Sequence, residues 1–433
     1  MDQHTNDELT KTDPGTLMGN LFRSFWLPVL LESELAIPGC PPVQVRLLGE
    51  DLVAFWEPSG EMGLIDALCA HRSAPLFLGR CEEGGLRCIY HGWKFAANGQ
   101  CIDQPNEPPD SRFKEHVRLK AYPLARRGGV IWTYMGPDAV PPPLPDFDWA
   151  LVPESHRFIA KYIVDANYLQ NMEGDIDSSH GSFLHSALGS DVIEGAHLNR
   201  KGYKYEKYLM KSGNPRFFCK DTNTGVLIGA RRPAEDDSWY WRITQWLLPA
   251  YSLIPEEPHH AIICNMRIPI DDEHNVFFRI RWHPERPLSE FELYQCKQGG
   301  VLFSETEPGS FRLVANKQND YLIDRTVQSL YTYSGIKSIP VQDVAVQGAL
   351  PIIDRTREHL GSSDLGIVTV RKRLLAAATA LRDQGSISAP RLAGEFRVFP
   401  VATVLKRETE FSEGADESLH GRDLSLVSRS PDS

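Results

Sequence analysis

Several features that would define a protein class are absent from this sequence of 433 residues. Its eight cysteines are too few for a disulfide scaffold, and no stretch approaches eighteen apolar residues, so we expect no membrane span. The polar, acidic start of the chain (Met1 to Gly15) lacks the cationic and apolar segments of a signal peptide. The net charge of −11 argues against nucleic acid or an anionic membrane as the main partner. These absences favour a cytoplasmic protein in a reducing compartment.

A nucleotide-binding fingerprint is also absent, since no G-x-G-x-x-G stands between a strand and a helix pattern. We therefore expect the chain not to bind NAD(P)H itself. What is present is a length sufficient for two or three domains.

Hydrophobic patterning and proline content divide the chain. Residues 40–136 alternate apolar and polar positions and are interpreted as an all-β module, whereas the second part mixes strand patterns with helices predicted over 167–188, 343–358 and 364–384. The predicted segments are a lead-in (1–39), the β module (40–136), a Pro-rich connector (137–153), a larger domain (154–411) and a polar, disordered tail (412–433).

Two short loops of the β module carry paired cysteine and histidine residues. Cys69 and His71 form C-x-H, and Cys88 and His91 form C-x-x-H sixteen residues later. Two thiolates and two imidazoles in this arrangement are typical of a Rieske [2Fe–2S] centre, in which two histidines ligate one iron. The alternative is a Cys₂His₂ zinc site, although zinc ligands more often come as close cysteine pairs and histidine pairs.

A second metal pattern follows in the larger domain, where Asp177, His180 and His185 form D-x-x-H-x-x-x-x-H. Asp177 and His180 would share a helix face, but His180 and His185 would lie about 140° apart around a regular helix. We expect the helix to end or loosen between them, at Gly181. Two histidines with a distant carboxylate form the facial triad of non-haem Fe(II) oxygenases.

The residues around both motifs resemble the ring-hydroxylating and demethylating Rieske oxygenases, nearest the phthalate-dioxygenase-like branch. The flanking sequences are CAHRSAPL and CIYHGWKF, against family patterns C-P-H-R-G-A-x-L and C-x-Y-H-G-W-x-F, so Ser73 replaces a glycine that often turns the loop. The resemblance extends from about Leu21 to about Leu381 and includes the runs NDYLIDR (319–325) and DRTREHLG (354–361). It implies an α+β fold: an N-terminal all-β Rieske domain followed by a helix-grip catalytic domain, an antiparallel sheet plus helices.

The resemblance also implies roles for individual residues. Asp177 would be the bridging carboxylate for electron transfer, and His180 and His185 would bind a mononuclear Fe(II). The third ligand would be a distant Asp at the start of a helix, best matched by Asp343. The rivals are Asp320, Asp324 and Asp354.

The same resemblance implies partners and assembly. A separate reductase, with or without a ferredoxin, would pass electrons from NAD(P)H to the cluster, and the iron would activate O₂. Electrons would cross to a neighbouring subunit through a cluster histidine (His71 or His91), Asp177 and an iron-ligand histidine. This route implies a homo-oligomer, a trimer or a dimer of trimers.

The substrate is expected to be a small aromatic compound with a carboxylate. Arg242 lies in a strand-like, aromatic-rich run and could pair with that carboxylate, and Ser178 is a second candidate contact. The motifs do not separate dihydroxylation, monooxygenation and O-demethylation, which would use the same iron. The alternative function is a Rieske electron carrier fused to a non-catalytic ligand-binding domain.

Overall fold

The α+β fold is confirmed by a computed structural model that describes residues 1–188, 204–235, 237–297, 300–387 and 392–419. The N-terminal part is all-β around the paired Cys/His loops. The C-terminal part is an antiparallel sheet with helices against it.

Within the described residues, the N-terminal part contains three small antiparallel sheets. Their strands are β1 (Trp26–Leu31), β2 (Val43–Leu47), β3 (Glu50–Trp56), β4 (Met62–Asp66), β5 (Arg80–Glu82), β6 (Gly85–Arg87), β7 (Lys94–Phe95), β8 (Cys101–Asp103), β9 (Ala121–Tyr122), β10 (Leu124–Arg127) and β11 (Val130–Tyr134). The strand orders are β1-β11-β10, β2-β3-β4-β9 and β5-β6-β7-β8. The first paired loop follows β4, and the second connects β6 to β7, so adjacent sheets position the two loops.

The C-terminal part is built on an eight-stranded antiparallel sheet. Its strands are β12 (Arg157–Val164), β13 (Arg216–Asp221), β14 (Gly225–Pro233), β15 (Ser238–Leu247), β16 (Tyr251–Ile254), β17 (Ile262–Pro269), β18 (Asn275–Trp282) and β19 (Val401–Lys406). They run in the order β12-β18-β17-β16-β15-β14-β13, with β19 paired to β15. Residues of β18 alternate between faces: Phe278, Ile280 and Trp282 join the main hydrophobic core, and Arg279 points the other way.

The α-helices are distributed along the whole described chain. They are α1 (Gln3–Thr10), α2 (Leu17–Arg23), α3 (Asp148–Leu151), α4 (Tyr168–Ile176), α5 (Glu206–Lys211), α6 (Glu290–Cys296), α7 (Arg325–Leu330), α8 (Ile339–Gln347), α9 (Leu365–Gln384), α10 (Phe411–Gly414) and α11 (Asp416–Leu419). Helix α9 lies against β13 and β14 and ends at Gly385, whose φ of 66° suits glycine. Helices α4 and α8 pack so closely that a Cβ at Gly174 would lie 1.9 Å from Nε2 of Gln347.

Several element predictions need correction. The helix predicted over 167–188 ends at Ile176, because Asp177 adopts an extended backbone and its carboxylate accepts a hydrogen bond from Ser179 N. The helix predicted over 343–358 spans Ile339–Gln347, so it ends earlier than predicted and Asp343 lies inside it.

Both ends of the chain also differ from expectation. The lead-in contains strand β1, whose pairing with β11 shifts register after Pro28, and its side chains join the main core. Residues 412–419 are largely helical rather than disordered, because Phe411, Ala415 and Leu419 pack into a hydrophobic cluster. Residues 420–433, to which the disorder prediction also applied, lie outside the described residues. Across the described part of the chain, no helix has the length and apolarity needed to cross a membrane.

Candidate metal centres

The two Cys/His loops share one backbone pattern. Cys69 N donates to Ala74 O at 2.8 Å, and Ser73 N donates back to Cys69 O at 2.9 Å. Cys88 makes the same pair of bonds with residues at the same spacing, Trp93 O at 2.8 Å and Gly92 N at 3.1 Å. Each loop therefore closes on its own cysteine without help from distant segments.

The equivalent fifth position of both loops is in the left-handed region. Gly92 has φ 79°, and Ser73 has φ 55°. A Cβ at Gly92 would lie 2.6 Å from Cγ of Pro105, so this loop requires glycine. Ser73 adopts the same turn with the strain of a non-glycine residue.

The four candidate cluster ligands converge at the tip of the β module. Both cysteines are buried, whereas His71 and His91 are half-exposed, with ring centroids 4.4 Å apart. Trp93 stacks on His71 at 4.5 Å, with the ring planes 10° apart, and holds its orientation.

These residues fit a bound cluster. Burial, together with neighbouring Cys88, raises the pKa of Cys69 to about 11, so a thiolate there requires positive charge nearby. The Nδ1 atom of His71 is buried and has no hydrogen-bond partner among the described residues, which suits an atom that ligates a metal.

The second site forms where the chain leaves α4. Asp177 Oδ1 accepts hydrogen bonds from Ser179 N at 2.7 Å and Ser179 Oγ at 2.5 Å, and its Oδ2 lies 3.2 Å from Nδ1 of His180. Burial raises the pKa of Asp177, but the hydrogen bond and charge of His180 outweigh it, so the net pKa is lowered. The turn thus presents an ionised carboxylate behind the His180 ring.

Three side chains that are distant in sequence meet here. His180 Nε2 and His185 Nε2 are 3.1 Å apart, and Asp343 Oδ1 lies 3.5 Å and 3.2 Å from them. All three ligand atoms lie within 4.8 Å of one another, and this is the one such group found among the described residues. Two nitrogens and one carboxylate oxygen match a facial triad.

The partners of the Nδ1 atoms determine which ring nitrogens face the site. His180 Nδ1 contacts Asp177, and His185 Nδ1 lies 2.6 Å from Oε1 of Gln342. Gln342 is fully buried and donates its Nε2 to Ile336 O at 2.6 Å, which leaves its oxygen to accept from His185. With protons on both Nδ1 atoms, the two Nε2 atoms point towards each other and would present lone pairs to a metal cation that takes the place of a proton there.

The electrostatics of the triad also favour a bound cation. Burial raises the pKa of Asp343, but the two histidines lower it far below its ordinary value. Burial lowers the pKa of His180, yet its hydrogen bonds with Asp177 and Asp343 raise it to about 10. Such a site attracts positive charge, and the donor set fits Fe(II).

The rival carboxylates lie elsewhere. Asp324 caps α7 by accepting from Thr326 N and Val327 N, and Asp354 accepts from Thr356 N. Asp320 lies in an irregular turn with φ 50°. The structure therefore brings Asp343, and none of the three rivals, to the histidine pair.

A cavity of about 160 Å³ adjoins the triad. One wall carries the triad and the residues after α4, and another is the sheet, which contributes Thr244, Ile254 and Ile263 among others. Arg242 lines the cavity without a side-chain partner among the described residues. The buried Arg279 also lines it, and its Nη1 donates to Asn265 Oδ1 at 3.1 Å. Ser178 also lines it, with its Oγ turned to Arg232 at 3.3 Å.

Sequence reasoning assigned no role to three residues around this site. Gln342 had one available signal, its position beside Asp343, and Arg279 could have been found from the alternation of β18. Arg232 contacts the site through Ser178, and nothing in its local sequence indicates this.

Comparison with known proteins agrees with both motifs. A family model described as "Rieske [2Fe-2S] domain" matches residues 25–123, and one described as "LigXa C-terminal domain like" matches residues 133–411.

Two relatives align along most of the chain. The 3-chlorobenzoate-3,4-dioxygenase oxygenase subunit of Comamonas testosteroni is 38% identical over 400 residues, which cover 88% of this chain and 90% of that protein. The phthalate 4,5-dioxygenase oxygenase subunit of Pseudomonas putida is 36% identical over 381 residues, covering 86% and 85%. The crystal structure of dicamba monooxygenase bound to 3,6-dichlorosalicylic acid has the same fold, with a TM-score of 0.57 at 17% identity over 84% of this chain and 99% of that chain.

Proposed function

The chain belongs to the Rieske oxygenases and is the oxygenase component of a multicomponent system, and from this premise we propose which residues hold its metal centres and what it acts on. Its cofactors are a Rieske cluster and a mononuclear iron, with NAD(P)H used through a reductase or ferredoxin partner. When bound, these groups supply one-electron transfer and O₂ activation.

Cys69, His71, Cys88 and His91 hold the cluster in this proposal, and His180, His185 and Asp343 hold the iron. The observation that carries the iron site is the convergence of two Nε2 atoms and one carboxylate oxygen within 4.8 Å. Gln342 and Asp177 keep the protons on the Nδ1 atoms, so both histidines present lone pairs to the same point. The convergent triad disfavours the electron-carrier alternative, which needs only the cluster.

Asp177 links the two centres across a subunit boundary in this proposal. Its side chain is 22% exposed, so its carboxylate can accept a hydrogen bond from a cluster histidine of the partner subunit while it holds His180. Exposed apolar side chains surround both partners of this contact: Leu68, Phe77, Leu78, Ile89, Tyr90 and Phe113 near the cluster loops, and Phe183, Leu188, Tyr331 and Tyr333 near the iron site. Such surfaces suit a subunit interface and so support a homo-oligomer, which we propose to be a trimer or a dimer of trimers from the family resemblance.

The proposed substrate is a small aromatic carboxylate. Arg242 lines the cavity as an unpaired cation among the described residues, and a guanidinium can hold a carboxylate through two parallel hydrogen bonds. The two relatives named above are named for aromatic acids, which supports the same class. The apolar side chains of Ile254 and Ile263 on the sheet wall would contact the ring, and Ser178 would add a hydroxyl contact.

Metal analysis and EPR test the two centres. We expect three irons per chain and a Rieske signal after dithionite reduction. Two irons per chain would indicate a carrier without the mononuclear site, and a colourless zinc protein would end the proposal. A product screen with a surrogate reductase, beginning with 3-chlorobenzoate and phthalate and extending to aryl ethers, tests the substrate class and distinguishes dihydroxylation, monooxygenation and O-demethylation.

A further inference from the structure

Arg232 on β14 is fully buried, and no carboxylate pairs with it within the described residues. Its guanidinium donates from Nη2 to Ser178 O at 2.7 Å, from Nη1 to Ser178 Oγ at 3.3 Å and from Nε to Ser212 O at 3.0 Å. Burying a guanidinium without a counter-ion is unfavourable, and these three hydrogen bonds offset part of that desolvation penalty. The hydrogen bonds of Arg232 thus connect the sheet to Ser178 in the turn after α4 and to Ser212, the residue that follows α5.

The turn that Arg232 holds is the one that orients Asp177. Ser178 directly follows Asp177, and the Asp177 carboxylate is fixed from the far side of Ser178 by Ser179 N and Oγ. The same turn leads into His180, whose Nδ1 contacts Asp177. A shift of the Ser178 carbonyl would therefore move the carboxylate relative to both of its proposed histidine partners.

A direct role for Arg232 in binding substrate is not supported by its position. Arg232 is not among the residues that line the cavity, although Ser178 and Arg242 are. The guanidinium lies behind the turn and contacts the peptide group of Ser178 from the sheet side.

We propose that Arg232 is a positioning residue for electron transfer: its planar fork fixes the peptide group of Ser178 and so sets the Asp177 carboxylate between the two metal centres. This inference rests on the proposed bridging role of Asp177. Because a lysine carries the charge but lacks the fork, Arg232→Lys removes the geometry and keeps the charge.

Arg231 provides a matched control on the same strand. It is half-buried on the opposite face, where its guanidinium lies 4.2 Å from the Trp239 ring and 4.9 Å from the Phe218 ring. Substitutions there change the same residue type in the same strand without touching the turn after α4.

The experiment compares Arg232→Gln and Arg232→Lys with Arg231→Gln and Arg231→Lys in the full-length protein loaded with both metals. The cluster is reduced with dithionite and then mixed with O₂ and the aromatic acid that the wild-type protein converts fastest. Stopped-flow absorbance follows reoxidation of the cluster. Iron content and the Rieske EPR signal are measured on the same samples, and EPR of the ferrous site treated with nitric oxide reports its geometry.

We expect both Arg232 variants to reoxidise the cluster at least tenfold more slowly than wild type, with wild-type iron content and Rieske signal, and with a broadened nitric oxide signal. The Arg231 variants should behave as wild type. Wild-type reoxidation in Arg232→Gln would overturn the inference. A defect confined to KM would also overturn it, because Arg232 would then be a substrate contact. Loss of iron in both Arg232→Lys and Arg232→Gln would overturn it as well, because Arg232 would then be a structural residue.

Asp177→Asn in the same assay separates this inference from the function on which it rests. Fast reoxidation in Asp177→Asn would refute the bridging role itself. Slow reoxidation in Asp177→Asn with fast reoxidation in both Arg232 variants would refute only the role of Arg232.

Discussion

The cluster loops and the iron site are built by opposite means. Each cluster loop closes through hydrogen bonds within six residues, and the two loops repeat one pattern. The proposed iron site joins His185 to Asp343, which are separated by more than a third of the chain, and its histidines contact Asp177 and Gln342 through their Nδ1 atoms. A site of the first kind depends on its own turns, whereas one of the second kind depends on the packing of α4 against α8.

The charge around the ligands differs in the same way. The cysteines are buried in a largely apolar cluster, where burial raises the pKa of Cys69. In the triad, the two histidines lower the pKa of Asp343, and Asp177 and Asp343 raise that of His180. Substitutions that neutralise polar neighbours should therefore affect the iron site more than the cluster.

The largest expected effect is at Asp177, which contacts His180 and is proposed to couple both centres. Asp177→Asn should reduce turnover to below about 1% of wild type while both centres stay mostly occupied, because the amide no longer couples the histidines. Turnover with a surrogate reductase, iron content and dithionite reduction of the cluster measure this. Near-wild-type product formation would show that the two regions do not communicate through this residue.

Gln342 tests whether the iron site depends on a residue that contacts no metal. Gln342→Leu should lower iron affinity by about 10–100-fold, because His185 loses the acceptor that fixes its tautomer. Chelator competition measures this, with exposed Gln318→Leu as the control. Gln342→Glu, which keeps an acceptor, should lose less. Unchanged iron affinity in Gln342→Leu would mean that packing alone orients His185.

Arg242 tests whether the cavity beside the triad binds the carboxylate of a substrate. Arg242→Leu should raise KM for an aromatic acid by about 10–100-fold, because a charged hydrogen bond is worth about 1.5–3 kcal/mol. Neutral amide analogues of the acid should be affected far less, and steady-state kinetics on both compounds measure the difference. Equal losses for acid and amide would make Arg242 structural.

Glu57 tests how much local hydrogen bonds contribute to the stability of the N-terminal β part. It is buried at the end of β3, and its carboxylate accepts from the backbone N–H groups of Ser59, Glu61 and Gly84. Burial raises the pKa of Glu57, but these bonds and that of the Ser59 hydroxyl outweigh it and lower the pKa from 4.5 to about 2. The carboxylate therefore stabilises the fold fully above pH 4.5, and this contribution is lost as the pH falls towards 2.

Glu57→Gln should then lower the free energy of unfolding by about 2–3 kcal/mol at pH 7, and the difference from wild type should shrink between pH 4.5 and 2. Urea unfolding followed by the visible circular dichroism of the cluster measures it. Exposed Glu61→Gln, in the same turn, is the control. A deficit that did not change with pH would assign the effect to packing.

The smallest effect is expected at Ser73. Ser73→Gly should raise the free energy of unfolding by up to about 1 kcal/mol, because glycine adopts φ 55° without a Cβ penalty. Urea unfolding measures the gain, and the Rieske EPR signal should stay unchanged. Lower stability in Ser73→Gly would mean that the serine side chain, and not the turn, holds the first loop.

The same contrast explains what could be predicted from the sequence. The cluster motif is local, so its four residues could be predicted as ligands from spacing alone, and the nearby strands β2, β3 and β4 follow from alternation. The spacing of His180 and His185 also predicts a metal site, whereas Asp343 was selected from the family resemblance, because nothing in its local sequence connects it to the two histidines. The early end of α4 was missed because the Asp177 side chain ends it, and side-chain capping competes with helix in ways that periodicity does not show.

Arg232 and Gln342 mark the limit of sequence reasoning for another reason. Their partners, Ser178 and His185, are far away in the chain, and only tertiary packing brings them together.

The proposed metal ligands and the sheet residues that line the cavity lie on different elements, so the two sets can be substituted independently in evolution. The proposed iron ligands come from α8 and the segment after α4, and Thr244, Ile254 and Ile263 lie on the sheet. Drift at those three sheet positions alters the shape presented to an incoming ring and leaves the proposed ligands intact. One inherited metal centre can thereby serve lineages that live on different aromatic compounds.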